Sequence, residues 1–235
     1  MVSGTGGQER MTTAIAEPLI ETSLARTETF AEIALRLGDI PLTRIIWLPR
    51  AATEEDAVRF CKAQRPVELI EGFLVEKAMG FRESLLAAAL IMFLKNYTSP
   101  RKLGLVGAPD AMMRLRPGLI RLPDVSFISW PRLLAADAHT KTIAPLGPDL
   151  AVEILSEGNT SQEIDQKRRD FFASGTKLVW IIDPKARTAK VYDDPEHPNQ
   201  MALIRETEVL HGGSVLPGFE LALADLFADL DPPVS

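Results

Sequence analysis

Two acids sit where acids are expensive. In Leu150-Ala151-Val152-Glu153-Ile154-Leu155, Glu153 is embedded in an apolar run bounded by Pro148 and by Ser156-Glu157-Gly158-Asn159. Such a short run, rich in branched side chains, reads as a strand covered on both faces. A carboxylate buried there costs several kcal/mol unless it is paired, protonated or bound to a metal. Pro123-Asp124-Val125-Ser126-Phe127-Ile128 repeats the situation. If the two strands are neighbours, the carboxylates converge. At about 4 Å they repel by about 4 kcal/mol at an effective dielectric of roughly 20. A divalent cation removes that penalty. Two carboxylates, a backbone carbonyl and waters suit Mg²⁺ or Mn²⁺, which prefer oxygen ligands. Such an ion polarises a phosphate and lowers the pKa of a bound water. The plainer alternative is that each acid ends a strand in an ordinary ion pair. Repulsion between the acids also predicts that removing one of them stabilises the metal-free fold.

Lys167 is the third candidate. In the helix expected after the Glu153 strand, Ile164, Lys167 and Phe171 follow i, i+3, i+7 spacing, so Lys167 borders the face turned toward the sheet. An amine there can hold a water or stabilise charge on a phosphorane-like transition state. The alternative is a lysine snorkelling at the edge of an apolar stripe. Arg168 and Arg169 extend the positive charge or form a solvated helix face.

The elements that must position these residues can be read in order. Residues 1–20 have the composition of a disordered arm. Residues 21–65 form a helical extension. Thr27 caps a helix over 28–37 that Gly38 ends, Arg44–Leu48 is a short strand, and Thr53 with Asp56 opens a helix near 54–64. Residues 66–235 form the main domain. Val67–Ile70 and Phe73–Glu76 make a hairpin around Glu71-Gly72. The next helix, 82–97, is apolar nearly all round and is expected to be central and buried. Ala111–Arg116 and the Asp124 run are strands, residues 130–148 a surface loop. After Glu153, Thr160-Ser161-Gln162-Glu163 has capping-box spacing, and Gly175 stops the helix. Leu178–Ile182 pairs with Ala189–Tyr192, a strand follows near 201–205, and a short helix spans 222–230. Strands and helices are mixed along the chain, so the fold class is α/β or α+β with a mixed central sheet flanked by helices.

Composition bounds the function. The chain has 235 residues, 46% of them apolar, which is ample for a core. The net charge of −6 gives no global attraction to nucleic acid, so any such binding needs a local basic face. The single cysteine, Cys61, excludes an intramolecular disulfide framework and reads as core filler. With no signal-like run near the start and no apolar run long enough to span a bilayer, the expected location is the cytoplasm, without a membrane. His139, His197 and His211 lack ligand spacing and read as surface residues. Trp130 and Trp180 read as core, and Arg114, Arg116 and Arg121 as phosphate contacts or a solvated strand edge.

Taken together, the pieces resemble the Uma-two family of restriction-endonuclease-like proteins, within the PD-(D/E)XK nuclease superfamily. The resemblance rests on Glu68-Leu69-Ile70-Glu71-Gly72, the apolar helix after it, Pro123-Asp124-Val125, Val152–Ser156, Lys167-Arg168, and Gly175 followed by Val179–Pro184. It covers about half the chain and implies a nuclease-like core with metal at Asp124 and Glu153. Two departures stand out. The superfamily's usual lysine lies two residues after the second acid, where this chain has Leu155, and Lys167 resembles a lysine relocated to the next helix. Many relatives carry a histidine in the first core helix, where this chain reads Arg82-Glu83-Ser84. Glu83 resembles the helix-borne acid of many superfamily nucleases, or is a first-turn acid favoured by the helix dipole. Glu68 and Glu71 also lie near enough to be considered, although Glu71 beside Gly72 reads as a turn residue. The implied activity is Mg²⁺- or Mn²⁺-dependent endonuclease cleavage of DNA, with a homodimer left open. A nuclease-fold interaction module without catalysis, or a hydrolase of another phosphoester, are the alternatives.

Overall fold

The computed structural model describes residue 1, residues 29–78 and residues 80–231. Apart from Met1, the arm expected over residues 1–20 lies outside the described residues. The chain begins with α1 (Phe30–Arg36), β1 (Ile45–Ile46), α2 (Glu54–Lys62), β2 (Val67–Ile70), β3 (Phe73–Glu76) and α3 (Phe81–Thr98). Then come β4 (Gly104–Gly107), β5 (Met113–Arg116), β6 (Leu119–Arg121), β7 (Val125–Ser129), α4 (Trp130–Ala135) and β8 (Leu150–Ile154). The last part holds α5 (Ser161–Ala173), β9 (Leu178–Asp183), β10 (Thr188–Tyr192), β11 (Ala202–Arg205), β12 (Val209–His211), β13 (Glu220–Ala222) and α6 (Leu223–Phe227).

The mixed α/β architecture rests on two larger sheets, with β12 and β13 pairing in a small third one. The larger runs β11-β10-β9-β8-β7-β4; β8 and β9 are parallel, and the other pairs are antiparallel. Its faces are sorted by the strand period of two. Val125, Phe127, Leu150, Val152, Ile154, Trp180 and Ile182 pack against Leu86, Leu90 and Leu94 of α3 and against α6. Ala151, Val179 and Ile181 point the other way, onto Ile164 and Phe171 of α5. Glu153 shares this second face with Ala151, which aims it at α5.

The second sheet, β1-β3-β2-β6-β5, is antiparallel throughout. Val67, Leu69, Ile120 and Leu122 face α2, whereas Ile70 and Leu119 face α1. By the same alternation Glu68 and Arg121 face away from α2. The hairpin turn at Glu71-Gly72 has positive φ at both residues (49° and 85°), the form that matches strand twist.

Several local expectations are corrected. The first helix is capped by Thr29, not Thr27, because Thr29 and Glu32 complete a reciprocal capping box. Thr53 and Asp56 do the same for α2. Thr160 caps α5 through the Glu163 N–H, but the Glu163 carboxylate turns to Arg44 instead of reaching back. The 130–148 stretch contains α4, with Pro131 in its first turn. The helix at 81–98 is buried on one side only. The sheet and α6 cover Leu86, Leu90 and Leu94, while Phe81 and Met92 stay exposed. Among the described residues no helix is long and apolar enough to cross a membrane.

Candidate active site

The β7–β8 register pairs Val125 with Val152 and Ser126 with Ala151. Continued by one residue, it sets Asp124 opposite Glu153 on the α5 face of the sheet. Two further bonds fix this end of the ladder. The Asp124 N–H donates to Val152 O at 2.9 Å, and the Ile154 N–H donates to Asp124 Oδ2 at 2.6 Å. Both acids are buried, at 3% and 4% exposure.

Each carboxylate meets a different lysine. Lys167 Nζ lies 2.9 Å from Glu153 Oε2 and 3.3 Å from Glu68 Oε1, so α5 ties the two sheets together through one ammonium. Glu153 Oε1 is buried and accepts no hydrogen bond. Lys77, immediately after β3, lies 2.9 Å from Asp124 Oδ1 in an ion pair that lacks hydrogen-bond alignment, and donates to Pro109 O at 2.9 Å. Its own N–H donates to Pro66 O, which anchors the segment as it leaves the hairpin.

Behind Lys167, Arg121 donates to Glu68 at 2.8 Å and to Asp170 at 3.0 Å, all within the interior. The Leu122 N–H also donates to Glu68. Glu68 therefore has two cations and a backbone donor. Burial pushes its carboxyl up, but Lys167 and Arg121 outweigh burial and hold it at about 2. Glu153 shares one ammonium with Glu68. Burial pushes it up, Lys167 only partly counters this, and Asp124 adds to it, so Glu153 rises to about 7. Burial works against the Lys167 ammonium, but Glu153 and Glu68 prevail and its pKa is raised.

Of the cluster, Lys77 lines a cleft of about 990 Å³, which the loop after Glu153, from Leu155 to Asn159, also borders. Its walls carry Arg44, Lys77, Arg82 and Lys185 against Glu76, Glu83, Glu157 and Asp183. Arg44 braces the loop after β8 by donating two hydrogen bonds to the Glu163 carboxylate and one to Gly158 O. Asn159 closes the same loop by accepting from the Ser156 N–H.

Of the sequence-derived candidates, Asp124, Glu153 and Lys167 come together. Glu83 stands apart on the cleft wall in the first turn of α3, and among the described residues it is hydrogen-bonded to none of the three. Its carboxylate lies over Gly80, where an added Cβ would meet Oε2 at 2.4 Å. The donor set suits a hard ion. Among the described residues there is no cluster of three or more His, Cys, Asp or Glu around one point. Two carboxylate oxygens, Asp124 Oδ1 and Glu153 Oε1, both buried without a hydrogen bond, match an ion that keeps most of its waters, as Mg²⁺ does.

Lys77 and Arg121 belong to the buried charged cluster, and the sequence reading missed the first and misassigned the second. Arg121 is not at a solvated edge but wholly buried. Arg114 and Arg116 are also engaged, with Glu54 and Glu71. Arg168 is buried against Tyr192 and donates to Pro198 O, so it belongs to no solvated face. Glu71 is indeed in the turn, and the three histidines are exposed.

Residues 54–224 match the Uma2 family, described as "Putative restriction endonuclease". A solved structure from Anabaena variabilis, titled a putative nuclease belonging to DUF820, has a TM-score of 0.61 and 21% identity. The match covers 70% of this chain and 91% of that one. No curated protein matches the chain. A match over well more than half the residues, on a nuclease-like fold, settles the family: the chain belongs to Uma2.

Proposed function

We propose that the protein is a Mg²⁺- or Mn²⁺-dependent endonuclease that hydrolyses DNA phosphodiester bonds. The observation that carries the reading is Asp124 opposite Glu153 at the end of a ladder, each with a buried oxygen that accepts no hydrogen bond, next to a cleft that Lys77 lines and whose walls mix cations with acids. Asp124 and Glu153 would hold the ion. When bound, it would polarise a phosphate oxygen and acidify a water. Lys167 keeps Glu153 oriented and supplies positive charge next to the reacting centre. Glu83, on the cleft wall, positions water or a second ion. The cytoplasm is the expected compartment, DNA the substrate, and a homodimer a compatible assembly.

The acidic net charge directs this reading toward local contacts and not tight nonspecific binding. Of the cleft cations, Arg82 bonds, among the described residues, only a backbone carbonyl, Pro184 O, and Lys185 is exposed, so both have donors to offer a phosphate.

One observation favours a second reading, a catalytically inactive interaction module. Both acids already have lysine partners, so the cluster holds together without metal. Plasmid cleavage with Mg²⁺, with Mn²⁺ and with chelator separates the two. The nuclease reading expects nicks or linear product only with metal, lost in Asp124→Ala and in Glu153→Gln. Wild-type cleavage in both variants would overturn the site, and no cleavage under any condition would favour the module.

A further inference from the structure

The two lysines at the acid pair are not equivalent. Lys167 holds Glu153 Oε2 and Glu68 Oε1 and leaves Glu153 Oε1 open. Asp124 has no oxygen so clear of a cation, although its Oδ1 also accepts no hydrogen bond. Its Oδ2 accepts the Ile154 N–H at 2.6 Å, and its Oδ1 lies 2.9 Å from Lys77 Nζ. The oxygen without an aligned hydrogen bond, Oδ1, is the more open to a divalent ion shared with Glu153. An ammonium less than 3 Å from the same atom would then face a dication at close range inside a buried site.

We propose that Lys77 is a resident counter-ion that a divalent cation must displace from Asp124, so that this arrangement of the side chains excludes the metal. The proposal rests on the reading of Asp124 and Glu153 as metal ligands. The geometry supplies an exit. Lys77 already lines the cleft, it sits beyond the end of β3, and its remaining bond is to a single neutral carbonyl, Pro109 O. Lys167 has no comparable freedom, because leaving would strand Glu153 and take from Glu68 one of its two cations. Lys77 thus sets metal affinity, whereas Lys167 stays in place.

The test has two arms, and the first uses the unaltered chain. Lys77 acetylation by an N-hydroxysuccinimide ester is followed by mass spectrometry with and without Mn²⁺. The side chain is 2% exposed in the ion pair, so modification should be slow without metal and should rise roughly tenfold with it, as a buried amine becomes solvated. The second arm is calorimetric titration of Mn²⁺ into wild type and Lys77→Met, where loss of the competing charge should tighten binding about tenfold or more. Binding in the variant but not in wild type would also support the proposal. Mn²⁺ that binds wild type while Lys77 stays protected, with no gain in Lys77→Met, would overturn displacement and leave the metal site standing. If neither protein binds Mn²⁺, the metal reading and the displacement fall together.

Discussion

Asp124 and Glu153 face each other across one ladder, yet no single cation serves both: Lys77 meets Asp124 and Lys167 meets Glu153. This changes the stability argument for the pair. Seen as two lone acids, they should repel, and removing either should stabilise the fold. With a buried lysine on each, removal leaves an ammonium without its partner. Asp124→Ala should cost about 3–5 kcal/mol, the scale of breaking a buried ion pair. Adding Lys77→Met to Asp124→Ala should recover much of it, because no charge is then stranded. Urea unfolding of the two single variants and the double variant checks this. Additive losses in the double variant would show that the pair is not coupled.

Glu68 gives the fold a defined acid sensitivity. Its folded-state pKa is about 2, against an ordinary value of 4.5. The unfolded chain therefore takes up this proton first as pH falls. The stabilisation is complete above about pH 4.5 and is lost as pH drops toward 2, by about 3 kcal/mol in all. Glu68→Gln should be less stable than wild type at pH 7 but should have a flatter profile between pH 4.5 and 2. Urea midpoints across that range measure it, and parallel profiles would show that Glu68 is not held ionised.

How much of this could be read beforehand depended on one rule applied unevenly. An acid inside an apolar strand signals a buried partner, and that rule singled out Asp124 and Glu153. Val67-Glu68-Leu69-Ile70 and Leu119-Ile120-Arg121-Leu122 carry the same signal, and the structure joins Glu68 to Arg121. Lys77 carries none. It follows a strand whose last residue, Glu76, is only half-buried, so its local pattern is that of any surface lysine. Only the pairing of the hairpin with β6, which brings two sheets around α5, turns it inward. The β9–β10 pairing follows from local pattern, but β4 pairs with β7 across β5 and β6, and the second sheet likewise depends on contacts between segments far apart in sequence.

Glu83 tests whether the cleft wall takes part in chemistry. It lies in the first turn of α3, where a negative charge is favoured by the helix dipole by about 0.3–1 kcal/mol. Glu83→Gln should therefore change the melting temperature very little. If Glu83 positions water, metal-dependent cleavage should fall about a hundredfold, the lower range for a proton-handling group. Cleavage within about twofold of wild type would leave Glu83 as a helix-end residue alone, by the same scale.

Lys167 separates scaffold from catalyst most sharply, because it is both a bridge between sheets and a charge beside Glu153. Lys167→Met keeps much of the aliphatic bulk but strands Glu153, while Glu68 retains Arg121. The fold should lose about 3 kcal/mol or more. Cleavage by the folded fraction should drop by about two orders of magnitude or more, the effect of losing one transition-state stabiliser. Lys167→Arg keeps the charge and changes donor geometry. If field alone matters, the arginine variant should restore stability and most of the rate. If the lysine must hold or deprotonate a water, it should restore stability only. Cleavage measured at equal folded fraction, with unfolding curves for each variant, distinguishes these outcomes. A fully active Lys167→Met would remove Lys167 from the chemistry, and with Leu155 at the superfamily's usual position the buried lysine left to examine would be Lys77.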